Sequence, residues 1–412
     1  MGITSALYSG VSGLNTNSQA MSVIGNNLAN TNTVGFKGAR TVFSDMLSSS
    51  ISGSGGTSQV GRGVNMSTVD NIFSQGTFET TESGLDVAIE GQGFFILKQP
   101  GNNTTYYSRA GAFRFDDQGY LVNPEGMRVQ GQQYDATGVL RPGDPTDIYV
   151  SNAGMIKGQT TTAVTQNLNL DASESVIAQA FDPADANTYN YSSSTQIYDS
   201  LGNPHLLTTY FRKTDQNQWE WHWSADVNGT VQQGLGGTLD FTTEGIAANT
   251  PQGGTIPAID WQNGTTQTAV NLTFNTTQFS SASRILSQDQ DGYAAGKLTN
   301  IGIDPDGAVV ASYSNGQRVK ISHLVLARFT NPNGLEAAGS NTFLATSESG
   351  AASTGLPGPE LGKVFTNSLE MSNVDMGSEF VRMITVQRGF QANSKIITTV
   401  DEMLSDLINL KR

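Results

Sequence analysis

Three histidines, His205, His222 and His323, are scattered through the 412-residue chain, and cysteine is absent. General-base catalysis at neutral pH and zinc ligation both draw on clusters of these residues, and no cluster exists. Disulfides and thiol nucleophiles are excluded outright. Carboxylates are plentiful, but no spacing pairs two of them across a cleft, and no Ser-His-Asp set stands out. Asp289-x-Asp291-Gly292 hints at a calcium loop. An EF-hand needs its glycine sixth and a glutamate twelfth. Counting from Asp289, Gly292 is fourth and Asn300 twelfth, which reads as an acidic turn. Gly91-x-Gly93 lacks the further glycine and the strand–helix setting of a dinucleotide loop. Trp219, Trp221 and Trp223 alternate, so they share one face of a strand. Exposed, such a row would bind glycans; buried, it fills a sandwich core. The core is the expectation, with Glu220 and His222 facing outward. No catalytic residue, cofactor or metal is predicted.

Charge narrows the partners. The net charge of −14 comes from 36 acidic and 22 basic residues, which argues against nucleic acid and anionic membranes. Only 14% of residues are charged and 46 are glycine, a composition suited to turn-rich β structure. No apolar run approaches the roughly 18 residues that cross a bilayer, so no membrane insertion is expected. Met1-Gly2-Ile3-Thr4-Ser5-Ala6 has no basic n-region, and Ala6 stands where myristoylation needs Ser or Thr. A secreted β-rich adhesin, one competing reading, would carry a Sec signal and an anchor.

The elements that must position any function lie at the two ends. No charged residue precedes Lys37. Within that stretch Leu7, Leu14, Met21 and Leu28 recur every seven residues, with Ile3, Val11 and Ile24 three or four away. Asn30, Thr31, Asn32 and Gly35 mark the stop. At the other end Leu369, Met376, Met383, Phe390, Ile397 and Leu404 repeat at seven, with Val386, Val400 and Leu407 three residues on. A helix from about Asn373 to Leu410 would be roughly 57 Å long. Gly10, Gly13 and Gly25 weaken the first helix by about 1 kcal/mol each relative to alanine. Both segments are expected to order only on meeting each other and copies of themselves.

Between the ends the chain reads as strands and tight turns. Examples are Asp116-Asp117-Gln118-Gly119, Asp304-Pro305-Asp306-Gly307 and Asn315-Gly316, the last before a long strand from Arg318 to Phe329. Residues 147–283 carry 12 Asp and Glu against 3 Lys and Arg. The expected fold is mainly β with α-helical termini: two nested antiparallel β domains plus a coiled-coil-like pair of N- and C-terminal helices. The expected domains are a terminal helical domain (1–35 and 368–412), an extended linker (36–75), a discontinuous β domain (76–146 and 284–367) and an acidic outer β insertion (147–283). Ser48–Gly56 and Ser347–Gly358 read as linkers.

Four segments carry a family resemblance. The run from Asn26 and Asn27 through Asn30 and Thr33 to Gly35, Phe36 and Lys37 resembles the N-terminal signature of bacterial flagellar rod and hook proteins. Gly84–Phe95 is similar to the start of their shared β domain. Leu369–Asp375 matches near the C-terminus, as does the run Gln387, Arg388, Gly389, Phe390, Gln391, Ala392, Asn393. Within the insertion Ile197–His205 resembles hook proteins in particular; Gln288–Gly296 and Tyr313–Gly316 do as well. A distal rod or other axial protein is the alternative inside the family.

The resemblance implies a non-enzymatic subunit that leaves the cell without a cleaved signal, by flagellar type III export. It implies self-assembly into a curved, flexible tube joining rod to filament as a universal joint. Rod proteins, the hook cap, hook–filament junction proteins and the export apparatus would be its partners. Phe43 and Leu47 resemble the element with which early substrates engage the export gate. On this reading the apolar stripes at both ends form the assembly interface, with Leu7, Leu14, Met21 and Leu28 against Met383, Phe390, Ile397 and Leu404.

Overall fold

The structure, a computed structural model, describes residues 2–46, 49–53, 56–135, 137–150, 154–248 and 252–409. Two long helices lie at the chain ends, α1 (Gly2–Ala29) and α2 (Met376–Asn409). Between them the described chain is strand and turn, with short 3-10 turns at Ala186–Thr188 and Pro332–Gly334. The molecule is mainly β with helical termini.

α1 stops where its sequence predicts. The Asn30 amide donates back to the Asn26 and Asn27 carbonyls at 3.2 and 3.1 Å. Gly35 then turns the chain with φ +70°, and a Cβ there would lie 2.5 Å from the Ala110 amide nitrogen. Only glycine fits. α2 starts at a cap: the Asp375 carboxylate accepts from the Ser378 amide at 2.6 Å. That bond holds the Asp375 carboxyl below its usual range.

The cap corrects one expectation. Leu369, the first member of the C-terminal repeat, is not helical. Ser368–Glu370 is a strand paired with Phe78–Thr80, so the helical part begins at Met376 rather than at 368. The 36–75 linker is also structured. Ala39–Asp45 pairs antiparallel with Val64–Asn71, and Ser49–Gly53 with Gly56–Val60 across the expected Ser48–Gly56 linker. The first pair packs on α1, where the Val64 amide donates to Ser12 Oγ at 3.2 Å.

The chain folds as two compact units. One comprises Met1–Asn152, Ile301–Ala311 and Val319–Arg412; the other comprises Ala153–Asn300 and Ser312–Arg318. The insertion therefore does not run from 147 to 283. Thr146–Asp147 pairs with Arg128–Gln133, and Ile148 sits in the first unit's core. Arg284–Gln290 pairs with Ala163–Asp171 in the second unit.

In the first unit the strands Arg318–Leu324, Arg128–Gln133, Phe94–Lys98, Thr105–Ser108, Thr342–Leu344 and Glu336–Gly339 lie side by side. One face buries Ile89, Phe95, Leu97, Leu121 and Leu326. The other buries Phe94, Tyr107, Phe329 and Phe343, with Tyr107 edge-on to Phe329 at 4.7 Å. The hairpins follow the turn residues: Gly119 donates to the Asp116 carbonyl at 3.1 Å and Gly307 to that of Asp304 at 2.8 Å. The strand expected from Arg318 to Phe329 is two, Arg318–Leu324 and Leu326–Arg328. The second pairs with Ser353–Gly355, inside the expected 347–358 linker.

The second unit is a sandwich. Tyr191–Tyr198, Pro204–Asp215, Gln218–Val227 and Thr230–Asp240 form an antiparallel meander. Gln252–Ile259, Thr268–Phe279, Ala163–Asp171 and Arg284–Gln290 form the facing sheet, with a parallel pair at its centre. Trp219, Trp221 and Trp223 are all in the shared core, Trp221 edge-on to Phe274 at 4.9 Å. His222 does not face outward as expected. It stacks on Phe181 at 4.1 Å, because the segment carrying Phe181 covers that side of the meander. Burial lowers the His222 pKa, against the pull of Glu220, whose carboxylate lies 3.6 Å away.

Candidate assembly site

The two helices run antiparallel. Gly10 lies against Ile397, Gly13 against Asn393 and Asn17 against Gly389, while Asn27 reaches Glu379. Each step forward on α1 is matched by a step back on α2. The approach is close because it is lined by small residues. A Cβ on Gly13 would sit 2.7 Å from the Asn393 amide, and one on Gly10 3.2 Å from Ile397. The buried stripe of α1 is Gly10, Gly13, Thr16, Ala20, Ile24 and Asn27, at spacings of three and four.

The expected interface is therefore shifted around α1. Leu7, Leu14, Met21 and Leu28 flank the small-residue stripe and are half-buried, while Val11 is 48% exposed. Only Ile24 of the expected set is buried there. On α2, Val400 is buried and Met383, Val386 and Ile397 are half-buried, but Met376, Phe390 and Leu404 are exposed. The Leu407 side chain lies outside the described residues. Two of the glycines that weaken α1 as an isolated helix thus permit the contact. Gly13→Leu is expected to lower stability by a net of about 1–2 kcal/mol, overpacking outweighing the gain in helix propensity. Gly25→Ala, where nothing lies within 4 Å, should raise it by up to about 1 kcal/mol. Urea unfolding of both variants checks the pair.

Asparagines lock the helices to the first β pair. Asn27 accepts from the Ala39 amide at 2.9 Å and donates to the Ala39 carbonyl at 2.7 Å. Asn373 accepts from Gly38 at 2.8 Å and donates to the Ile72 carbonyl at 2.6 Å. Asn30 donates to Asn26 and accepts from Thr33, while Asn26 itself is exposed and Phe36 half-buried. Gln387, Arg388, Gln391 and Ala392 are exposed, whereas Asn393 donates to the Gly389 carbonyl at 2.9 Å. The resembling motifs thus split into a buried clamp and an outward face. Phe43 is 45% exposed; its expected partner Leu47 lies outside the described residues.

Sequence reasoning missed the charged knot beneath this clamp. Glu370 is fully buried. It accepts from Lys37 Nζ at 2.5 Å and from the Gly76 amide at 2.9 Å, and pairs with Arg109 Nη1 at 3.4 Å. Lys37 also donates to the Ser74 carbonyl at 2.8 Å. Burial lowers the pKa of both Lys37 and Arg109, while the Glu370 carboxylate pulls each back up. One carboxylate ties together the segment after α1, the β domain and the segment before α2. The available signal was the position of Lys37, the first charge after a neutral stretch.

Asp199 and Asp291, two carboxylates with lowered pKa, are occupied. Asp199 accepts from Asn263 at 2.7 Å, from Asn203, and from the ring of His205 at 3.0 Å, which stacks on Trp261. Burial would raise its pKa, yet these bonds hold the carboxyl well below the carboxylate range. Asp291 accepts from the Thr162 and Ala163 amides at 2.8 and 3.0 Å. It caps a strand.

What remains free is apolar surface. Phe380, Val381, Ile384, Ile396, Met403 and Ile408 on α2, and Tyr8 on α1, are exposed. These residues lie off the seven-residue repeat, whose expected members Met376, Phe390 and Leu404 are exposed as well. Apolar exposure on this scale along one helix marks an interaction surface. Among the described residues no helix is long and apolar enough to cross a membrane.

Comparisons with known proteins place this arrangement. Residues 7–37 match the family model described as flagella basal body rod protein, and 366–410 match flagellar basal body rod FlgEFG protein C-terminal. Residues 88–158 match flagellar hook protein FlgE/F/G D1 domain, and 167–293 match flagellar basal body protein FlaE D2 domain. The flagellar hook protein FlgE of Borreliella burgdorferi is 39% identical, covering 98% of this chain and 99% of that one. The FlgE of Salmonella typhimurium is 38% identical over 97% of this chain and 98% of that one. The crystal structure of the Helicobacter pylori hook protein FlgE2 shares the fold, with a TM-score of 0.53 at 15% identity. It covers 71% of this chain and all of its own. From helix pair to inserted sandwich, the chain belongs to the flagellar hook protein family.

Proposed function

We propose that this chain is the structural subunit of the bacterial flagellar hook. Copies assemble through the α1–α2 pair into a flexible, curved tube that passes torque from rod to filament. The observation that carries this reading is the exposed apolar surface of α2, which a lone molecule leaves in water. The hook-protein relatives support reading that surface as one covered by neighbouring copies. Rod proteins, the cap, junction proteins and the export apparatus are the partners that family membership suggests. The chain acts without catalysis: the carboxylates and histidines best suited to chemistry, Asp199, Asp291, His205 and His222, are engaged in turns, caps and stacks. Phe43, exposed on its strand, is the side chain we assign to export-gate engagement together with Leu47.

Removing residues 2–21 tests the reading. The truncation spares Asn27 and the clamp on Ala39, so the β units keep their circular dichroism. Assembly at concentrations where the full chain forms tubes should be lost. Tubes formed by the truncated protein would overturn the proposal.

A further inference from the structure

One stretch of the second unit is held on its sheet by rings alone. Residues 172–190 join the strand Ala163–Asp171 to Tyr191–Tyr198, with no helix or strand besides the 3-10 turn at Ala186–Thr188. The stretch begins well tied to the meander. Lys213 Nζ donates to the Ala172 and Glu174 carbonyls at 2.6 and 3.0 Å. The Ile177 amide donates to the Lys213 carbonyl at 3.0 Å, and Arg212 Nη1 to the Gln179 carbonyl at 2.5 Å. At the far end the Asn190 amide donates to the Phe211 carbonyl at 2.9 Å. Between these ties, among the described residues, no hydrogen bond joins 180–188 to the meander. Phe181 lies flat on the His222 ring at 4.1 Å, with the planes 15° apart, and 5.1 Å from Tyr210. Tyr189 meets Tyr210 edge-on at 4.8 Å.

We infer that residues 180–188 are an acid-released strap: a proton on the His222 ring lifts Phe181 from the meander and opens Tyr210 and His222 to water. A neutral imidazole tolerates a dry stack on a phenyl ring. A charged one needs water or an anion at its nitrogens, and His222 Nε2 is buried without a hydrogen-bond partner among the described residues. The charged groups around it do not make up the loss. Glu220, on the same strand, lies 3.6 Å away, but its carboxylate already accepts from Arg212 Nη2 at 2.7 Å. Arg212, on the next strand, opposes a second cation. The strand on the other side brings Leu235 opposite His222. On the strap itself, Asp182 and Asp185 accept from the Ala184 and Asn187 amides at 2.9 and 3.0 Å.

The sign of the effect follows. Burial is the largest influence on His222 and lowers its pKa, outweighing the pull of Glu220. With the strap lifted, water reaches the ring and the pKa returns toward the ordinary imidazole value of about 6.5. The open form then binds the proton more tightly than the closed form. The closed form is favoured in full above that value and loses ground as pH falls through it. The device belongs to a single copy, so it stands apart from the hook reading. His205, the other histidine of this unit, lies outside the strap and bonds to the Asp199 carboxylate at 3.0 Å.

Hydrogen exchange on the full chain, read by mass spectrometry at about pH 7.5 and about pH 5, tests the strap. The reporting amides are Asp182, which donates to Thr188 Oγ1 at 3.1 Å, and Asp185 and Thr188, which donate inside the strap at 3.1 Å each. After correction for the intrinsic exchange rate at each pH, their protection should fall by about fivefold or more on acidification, while the strand Gln218–Val227 keeps its own. His222→Gln keeps a neutral side chain at both pH values and leaves His205 in place, so its strap protection should not change with pH. Phe181→Ala removes the stack and keeps His222. Its strap should already be poorly protected at about pH 7.5. An equal acid-dependent fall in His222→Gln, no fall in the unaltered chain, or full protection in Phe181→Ala would each overturn the inference.

Discussion

Glu370→Gln lowers the unfolding free energy of the unit carrying α1 and α2 by about 3–5 kcal/mol. The substitution keeps the shape of the side chain and removes only its charge. Lys37 and Arg109 then stand buried, with side-chain exposures of 0% and 2%, and no anion between them. Lys37→Met should cost distinctly less. It removes one of two cations and leaves Arg109 and Glu370 a neutral pair, with the Gly76 amide still donating to the carboxylate. The double change Lys37→Met/Glu370→Gln should fall below Glu370→Gln alone in its cost, because only one cation is then stranded. Urea unfolding of the four proteins gives the ranking. Equal costs for Glu370→Gln and Lys37→Met would mean that the knot acts through packing and not through charge balance.

That knot shows where reading the sequence reaches its limit. The helices, their ends and the main hairpins follow from local signals: seven-residue apolar spacing, the Asn30–Gly35 stop, and Asp-Gly and Asn-Gly turns. These depend on neighbours a few residues apart. Lys37 and Glu370 are separated by 333 positions, and nothing local says that they meet. The helix contact was misplaced for a related reason. Periodicity finds large apolar residues, and it took Leu7, Leu14, Met21 and Leu28 for the contact face. The face that meets α2 is instead the small one, because glycine and alanine let backbones approach and large side chains do not. The half-buried leucines beside it remain available to other copies. Leu369 was misread because a repeat of seven continued by chance across a helix cap. Asp375 supplies the physical stop, and the strand before it supplies the residue pairing that periodicity cannot see.

Trp221→Ala is expected to cost the second unit about 3–5 kcal/mol while leaving the helix pair able to assemble. The indole is fully buried between the two sheets and edge-on to Phe274. Glycines shape its slot. A Cβ on Gly236 would come within 2.2 Å of the ring, and one on Gly254 within 3.0 Å. Backbone therefore lines part of the space, and backbone cannot swing in to fill a cavity as a side chain would. The void left by alanine persists, which places the cost in the upper part of the range for large-to-small changes. Trp221→Phe separates volume from chemistry. Among the described residues the Trp221 ring nitrogen has no hydrogen-bond partner, so phenylalanine removes an unpaired buried donor as it leaves a smaller gap. Its cost should be under about half that of alanine. Chemical unfolding followed by tryptophan fluorescence, alongside sedimentation of assembled protein, reads both effects. Loss of assembly at temperatures where Trp221→Ala retains its helical circular dichroism would show that the sandwich, and not the terminal pair alone, is needed to bring copies together.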